Sequence, residues 1–133
     1  MSTKTLNLGV IGAGRIGKIH AENIATRIPG ARLAAVADIQ LAAAQDLARR
    51  FNVPSATSDY RAVLQSPELE AVAICSATDT HAAIIQEAAA SRKHIFCEKP
   101  IDLDLKRIET TLRAVEQAGV KFQVGFNRRF DPS

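Results

Sequence analysis

The chain has 133 residues, 47% of them hydrophobic and 23% charged, and a formal net charge of +3. This length provides one domain with a real core but hardly two, and no apolar run approaches the roughly 20 residues of a membrane span. The polar start leaves no room for a secretory signal, and one tyrosine, no tryptophan and scattered basic residues argue against nucleic acid, so we expect a cytoplasmic protein without membrane or nucleic-acid partners.

Short apolar segments alternate along the chain with longer segments of helical character. Six strands are predicted, at Leu6–Ile11, Leu33–Ala37, Ser55–Thr57, Ala71–Cys75, His94–Cys97 and Lys121–Phe126. Five helices are predicted between them, at Arg15–Ile28, Leu41–Phe51, Asp59–Gln65, Thr80–Ser91 and Leu103–Ala118. Alternation of this kind is typical of repeated β-α units, and nearly all-apolar strands indicate helices on both faces. The sequence therefore predicts an α/β fold, a doubly wound parallel sheet of about six strands.

A glycine-rich turn follows the first predicted strand directly. In the pattern G-x-G-x-x-G the first glycine permits a tight turn, the second lets backbone approach a pyrophosphate, and the third lets the helix pack on its strand. We expect the pyrophosphate on the amides of Ala13–Ile16, at a helix N-terminus that favours an anion. The predicted dinucleotide contacts here are Gly12, Gly14, Arg15, Ile16 and Gly17.

Asp38 ends the second predicted strand, about 20 residues beyond the glycine pattern. A carboxylate there accepts hydrogen bonds from the adenosine ribose hydroxyls and repels a 2′-phosphate. Neither Ile39 nor Gln40, which follow, supplies an arginine for that phosphate. The expected cofactor is therefore NAD rather than NADP. The alternative interpretation is that Asp38 only caps the next helix.

The segment Ser76–His81 links the fourth predicted strand to a helix at the same sheet edge. We expect Ser76, Thr78 and His81 to line the ribose or nicotinamide half of the cofactor. For His81 the alternative is a polar packing residue. Thr78 or Asp79 is expected to cap the helix that follows, and Asp102 or Asp104 to cap the last helix.

Glu98-Lys99-Pro100 stands at the end of the fifth predicted strand, on the edge where ligands of such folds bind. The Lys99 ammonium there can donate to a substrate oxygen and stabilise the alkoxide that develops as hydride leaves. Glu98 is expected to orient the lysine, and Pro100 to stiffen the turn. The alternative is a solvated surface turn.

The remaining reactive side chains give weaker signals. Cys75 and Cys97 lie in or at the end of apolar strands, so they are interpreted as reduced thiols, and no metal site is predicted. His20 and His94 have no acidic partner at a suggestive spacing and are placed outside the site. Near the chain end, Asn127 or a neighbouring arginine is expected to contact cofactor or substrate, or else to anchor a following domain.

Four segments together resemble the Gfo/Idh/MocA oxidoreductases: GVIGAGRIG at residues 9–17, ATDTH at 77–81, CEKP at 97–100 and GFNRRF at 125–130. The resemblance covers essentially the whole chain. It implies a Rossmann domain at residues 1–124, the start of a connection at 125–133, and NAD-dependent oxidation of a ring hydroxyl on a cyclitol or sugar. It also implies that Lys99 matches the catalytic lysine, often followed by a cis-proline, here Pro100.

The resemblance further implies a second domain that supplies a catalytic aspartate, a catalytic histidine and dimer contacts, none of which these 133 residues contain. We therefore expect the chain to bind NAD weakly with little or no turnover. Apolar surface that would face that domain is expected to favour self-association into a homo-oligomer. The alternative function is a nucleotide-binding sensor or interaction module without catalysis.

Overall fold

The computed structural model describes residues 5–125, which form a six-stranded parallel sheet flanked by helices. The strands are β1 (Leu6–Ile11), β2 (Ala31–Ala37), β3 (Ser55–Thr57), β4 (Ala71–Ile74), β5 (His94–Glu98) and β6 (Phe122–Gly125). The helices are α1 (Arg15–Thr26), α2 (Leu41–Arg50), α3 (Tyr60–Leu64), α4 (Thr78–Ala90) and α5 (Leu105–Ala118). All neighbouring strands are parallel, in the order β3-β2-β1-β4-β5-β6.

The helices pack on both faces of the sheet, and strand alternation assigns each side chain to one face. Val10 of β1 belongs to the layer of α1 and α2, with Ala21 and Leu47. Its neighbour Ile11 belongs to the layer of α3, α4 and α5, with Ile85. The predicted doubly wound parallel architecture with helices on both faces is therefore confirmed.

The strand order reverses between β1 and β4, the place where such sheets open a crevice for ligands. Ile11 pairs with Ala37 on one side and with Ile74 on the other, so three strands end level with one another. The chain stays tied just beyond these ends, where the amide of Gly12 donates to Ala37 O at 2.7 Å and the amide of Cys75 donates to Ile11 O at 2.7 Å. The register therefore brings three loops together at one edge.

Helix ends differ from the sequence predictions by a few residues. Helix α1 ends at Thr26 rather than Ile28, because the residue before a proline disfavours helical backbone. Helix α4 begins at Thr78, two residues early, with Ala77 as its N-cap, so the predicted cap at Thr78 or Asp79 is wrong.

The start of the last helix is closer to expectation. Helix α5 begins at Leu105, and the Asp104 carboxylate accepts from the amide of Lys106 at 2.8 Å, which confirms Asp104 as the cap. The helix ends at Gly119, whose φ of +72° is the left-handed conformation that closes many helices. The domain boundary after residue 124 stays a prediction, and Gly125 is the last described residue.

Within residues 5–125 no helix is both long and apolar enough to cross a membrane. The same part of the chain contains no group of three histidine, cysteine or acidic side chains able to hold a metal ion. Cys75 and Cys97 are free thiols, as predicted.

We expect truncation of the α4 core to destabilise the fold. Ile85 is fully buried, so Ile85→Ala leaves a cavity and should lower the free energy of unfolding by about 2–5 kcal/mol. The matched control is Ile19→Ala, because half of that side chain is exposed, and it should cost less than about 1 kcal/mol. Urea unfolding measures both, and equal losses would contradict the assigned core.

Candidate functional site

A cleft of about 550 Å³ opens at the sheet edge where the strand order reverses. Its lining includes the residues that directly follow β1, β2 and β4, among them Gly12, Asp38 and Ser76. Of the sequence-predicted site residues, the cleft brings together Gly12, Gly14, Asp38 and Ser76. The topology therefore collects residues from three separate parts of the chain at one place.

The three glycines of the first turn have different surroundings. Gly12 has a φ of +104°, and a Cβ there would lie 2.6 Å from the backbone of Cys75 and Ser76. At Gly17 a Cβ would lie 1.8 Å from the carbonyl oxygen of Gly12. At Gly14 it would meet nothing within 4 Å. Gly12 and Gly17 thus permit close backbone packing, whereas the space over Gly14 is open toward a ligand.

Asp38 is held rigidly at the rim of the cleft. One carboxylate oxygen accepts from the amide of Ala13 at 2.7 Å, and the other accepts from the amide of Gln40 at 2.8 Å. Each carboxylate oxygen has a second lone pair, so the group can still accept hydrogen bonds from a sugar diol. The alternative interpretation of Asp38 as a cap of α2 is not supported, because Gln40 is the N-cap and makes no side-chain cap bond.

The expected set of phosphate-binding amides needs one correction. The amide of Ala13 already donates to Asp38, so it is engaged inside the protein. Arg15 and Ile16 are the first two residues of α1, where amides have no intrahelical acceptor. The amides available to an anion therefore begin at Gly14 rather than Ala13.

Several residues that line the cleft were not predicted from the sequence. They are Ile11, Ala37, Ile39, Gln40, Ser58, Tyr60, Cys75, Ala83 and Ile84. Ala77, Asp79 and Thr80 also line the cleft, and they belong to the segment 76–81 that was expected to line the cofactor. Most of the unpredicted residues are apolar, as is usual in the lining of ligand pockets. The signal available for Ile39 and Gln40 was their place directly after Asp38. No sequence signal was available for Tyr60 and Ile84, because only the packing of α3 and α4 on the sheet brings these two residues to the cleft.

Tyr60 illustrates how the wall of the cleft is fixed. Its hydroxyl donates to a carboxylate oxygen of Glu87, whose other oxygen accepts from Arg61 Nε at 2.7 Å. Burial, followed by the hydrogen bond and charge of Glu87, raises the pKa of Tyr60 to about 12. The phenol therefore keeps its proton, and its hydrogen bond to Glu87 holds the ring at the wall of the cleft.

The loop after β4 presents hydroxyls rather than its histidine to the cleft. Ser76 Oγ lies 2.7 Å from Thr80 Oγ1, and Thr80 in turn donates to Ala77 O at 2.6 Å. Thr78 is not among the residues that line the cleft. His81 is 2% exposed and lies behind the wall, with its ring nitrogens against two backbone carbonyls. The structure thus supports the packing interpretation of His81.

Lys99 lies on an exposed turn at the same sheet edge, outside the residues that line the cleft. The Lys99–Pro100 peptide bond is cis, as the family resemblance implied. Two expectations for this turn are corrected. The buried Glu98 carboxylate bonds Nε2 of His20 instead of orienting Lys99, so His20 does have an acidic partner, 78 residues away. Sequence spacing gave no signal for that pair.

The two thiols near this edge both have a pKa above that of a free cysteine. Burial, and after it the negative charge of Glu98, raises the pKa of both Cys75 and Cys97 to about 12. A thiol is a nucleophile only as the thiolate. Neither cysteine is therefore a candidate for covalent catalysis.

Asn127, the last predicted cofactor contact, lies outside the described residues.

Comparison with known proteins agrees with this geometry. Residues 6–126 match the family model GFO_IDH_MocA, described as an oxidoreductase family with an NAD-binding Rossmann fold. An uncharacterized oxidoreductase of Bacillus subtilis is 49% identical over 130 residues, which are 98% of this chain and 38% of that protein. An inositol 2-dehydrogenase of Rhizobium meliloti is 47% identical over 128 residues, 96% of this chain and 38% of that protein.

A solved structure shows the same fold. The scyllo-inositol dehydrogenase from Lactobacillus casei with bound NAD(H) and scyllo-inositol superposes with a TM-score of 0.92 at 40% identity. The match covers 97% of this chain and 38% of that one. The chain thus spans less than two fifths of the length of these relatives.

The surroundings of the glycines predict opposite effects of two alanine substitutions. Gly14→Ala places a methyl group in the open space over the turn, so it should leave stability within about 0.5 kcal/mol but weaken NAD binding at least about tenfold. Gly12→Ala forces a side chain into backbone and should destabilise the fold itself. Calorimetric NAD titration and urea unfolding separate the two. A Gly14→Ala variant with unchanged affinity would place the ligand elsewhere.

The raised thiol pKa values predict slow alkylation. Because a pKa near 12 lies well above that of free cysteine, about 8.5, the thiolate fraction at neutral pH is very small. Alkylation by iodoacetamide should keep rising about tenfold per pH unit from about pH 7 to 10, whereas the rate for glutathione levels off. Mass spectrometry follows both. A protein rate that levels near pH 9 would contradict the buried placement.

Proposed function

This chain belongs to the Gfo/Idh/MocA oxidoreductases as their NAD-binding Rossmann domain, and on that premise we propose that it serves an inositol-dehydrogenase-like enzyme. Such an enzyme moves hydride from a ring hydroxyl of a cyclitol or sugar to NAD. The observation that carries the proposal is the cleft at the sheet's switch point, with Asp38 fixed on its rim and the Lys99 turn at the same edge.

The described residues fit the adenosine half of NAD. We place the adenine against the apolar wall that includes Ile39 and Ile84, and the ribose diol on Asp38. The pyrophosphate then lies over Gly14, where a Cβ would find open space, beside the first amides of α1. Arg15, the first residue of α1, and Gly17, packed against Gly12, complete this turn in the proposed mode.

The nicotinamide half would extend toward the ends of β4 and β5. In this arrangement Ser76 and the turn Glu98-Lys99-Pro100 border it. Each follows the carboxyl end of its strand, the edge at which such sheets bind ligands. Asn127 remains part of the proposal on the family resemblance alone.

Lys99 is proposed as the catalytic residue of this chain. Its side chain is exposed, and its ammonium has no hydrogen-bond or ion-pair partner among residues 5–125, so it is available to a substrate oxygen. Bound NAD supplies the hydride acceptor. A donated hydrogen bond from Lys99 to the ring hydroxyl oxygen would stabilise the negative charge that develops there.

Turnover, in this proposal, requires residues beyond those of the matched domain. By resemblance a histidine takes the proton of the substrate hydroxyl, and the match covers less than two fifths of the relatives' length. We therefore propose that these 133 residues bind NAD without oxidising a cyclitol. In this proposal the residues that recognise the polyol or sugar also lie beyond the matched domain.

Asp38 should decide which nicotinamide cofactor binds. A carboxylate beside a 2′-phosphate is a like-charge contact, so we expect the chain to bind NAD at least about tenfold more tightly than NADP. Asp38→Ala should bring that ratio close to one by weakening NAD and relieving the repulsion. Isothermal titration calorimetry with each nucleotide measures the ratio.

The matched control is Asp46→Ala, because Asp46 lies on the exposed surface of α2 with Arg49 as its partner, outside the cleft lining. It should leave both affinities unchanged. Binding of neither nucleotide, or a clear preference for NADP, would overturn the proposed function. Sustained NADH formation from NAD and scyllo-inositol would contradict the proposed need for further residues.

A further inference from the structure

The two residues that flank Lys99 are each bonded to a histidine, and the two histidines come from opposite faces of the sheet. Glu98, before the lysine, bonds His20 of α1. Pro100, after it, bonds His81 of α4. Helix α1 belongs to one core layer and α4 to the other. The backbone of Lys99 is therefore fixed from both sides, while its side chain stays exposed.

On the α1 face, the buried carboxylate of Glu98 contacts the imidazole ring of His20. The side chain of Glu98 is 10% exposed and that of His20 is 24% exposed. The His20 ring also packs against Phe96, with centroids 5.0 Å apart and planes inclined by 60°. Phe96 and Glu98 are two residues apart on β5, so both side chains lie on the same face of the sheet, the one covered by α1. A change at His20 would leave a buried carboxylate without this partner, which is costly.

The contact on the α4 face places one ring between the carbonyls of two loops, and a neutral imidazole, with its single N–H, donates to one of the two. His81 Nδ1 lies 2.8 Å from Pro100 O, and Nε2 lies 2.7 Å from Ser76 O. Ser76 lines the cleft, and Pro100 follows the proposed catalytic lysine. With 2% of its surface exposed, His81 cannot reach a ligand itself. It can act only by setting the distance between these two loops.

We propose that His20 and His81 are positioning residues that hold the Lys99 turn against the nicotinamide half of the cofactor. The inference rests on the proposed function, since it takes Lys99 as the residue on which they act. The lysine side chain has many rotamers and no hydrogen-bond or ion-pair partner among residues 5–125, so within that part of the chain only its backbone is placed in advance. His20 lies on the helix whose first turn faces the pyrophosphate, so it also links the phosphate end to the chemical end.

The test compares two ligands on the 133-residue chain. ADP-ribose contains the adenosine, pyrophosphate and second ribose but lacks the nicotinamide ring, whereas NADH contains all of them. His20→Phe keeps a ring beside Phe96 and removes the bond to Glu98. We expect NADH to bind about three- to tenfold more weakly to this variant, the effect of one lost hydrogen bond, with ADP-ribose binding unchanged. Fluorescence titration of NADH and calorimetry with ADP-ribose give the two affinities.

Further variants separate positioning from simple loss of stability. His20→Gln can still donate to Glu98 and should restore most of the NADH affinity. Lys99→Ala should reproduce the NADH-specific loss, and adding His20→Phe to it should cause no further loss, because the histidine acts through the lysine. His81→Phe should behave as His20→Phe does, provided that urea unfolding shows it folded, and the His20 series decides if it is not.

Each other result has a defined meaning. Equal weakening of NADH and ADP-ribose, or additive losses in the double variant, would overturn the positioning role while leaving the proposed function intact. NADH binding unchanged in both His20→Phe and Lys99→Ala would also overturn it. Failure of the unmodified chain to bind either ligand would instead remove the proposed function, and the inference with it.

Discussion

Three backbone segments meet at the turn after β1 with no side chain between them. The carbonyl of Gly12 occupies the place where a Cβ of Gly17 would stand, and Gly12 itself lies against the backbone of Cys75 and Ser76. This close approach brings α1, β1 and the loop after β4 into one unit. The Asp38 carboxylate then binds the amide of Ala13, which joins β2 to the same unit. The cleft therefore keeps its shape through these contacts, which join α1, β1, β2 and the loop after β4.

The proposed site divides into an adenosine end and a chemical end, which are stabilised in different ways. At the adenosine end, backbone packing and short-range bonds around Asp38 fix the geometry, and an apolar wall provides area for a flat ring. At the chemical end, the residues on either side of the exposed Lys99 contact histidines of helices on both faces of the sheet. The first end is therefore built for affinity and the second for placement of one charge. This division fits the proposed function, in which the domain binds NAD and Lys99 is its one catalytic group.

Pattern and composition were sufficient for the fold because a parallel sheet covered on both faces needs apolar strands, and such strands are short and distinct in this sequence. All six strands were located, and β1 and β3 had their exact bounds. The predicted helix ends were less accurate than the predicted strands, because several neighbouring residues can each serve as the cap of one helix. Ala77 has no side-chain capping group but is the N-cap of α4, because the amide and the hydroxyl of Thr80 both donate to its carbonyl. Thr78 and Asp79, the predicted caps, are already within the helix.

The sequence by itself determined the strand–turn–helix fingerprint, the acid at the end of β2 and the lysine at the end of β5, because each depends on residues close together in the chain. Only the tertiary structure decided which side chains meet: His20 with Glu98, His81 with Pro100 and Ser76, and Ala13 with Asp38. Those pairings depend on strand order, register and the face on which each helix packs. His81 and Ser76 lie five residues apart, but no local spacing encodes the other pairs, whose partners lie 78, 19 and 25 residues apart. The physical reason is that a hydrogen bond needs two atoms within about 3 Å, and over such separations only the assembled sheet sets that distance.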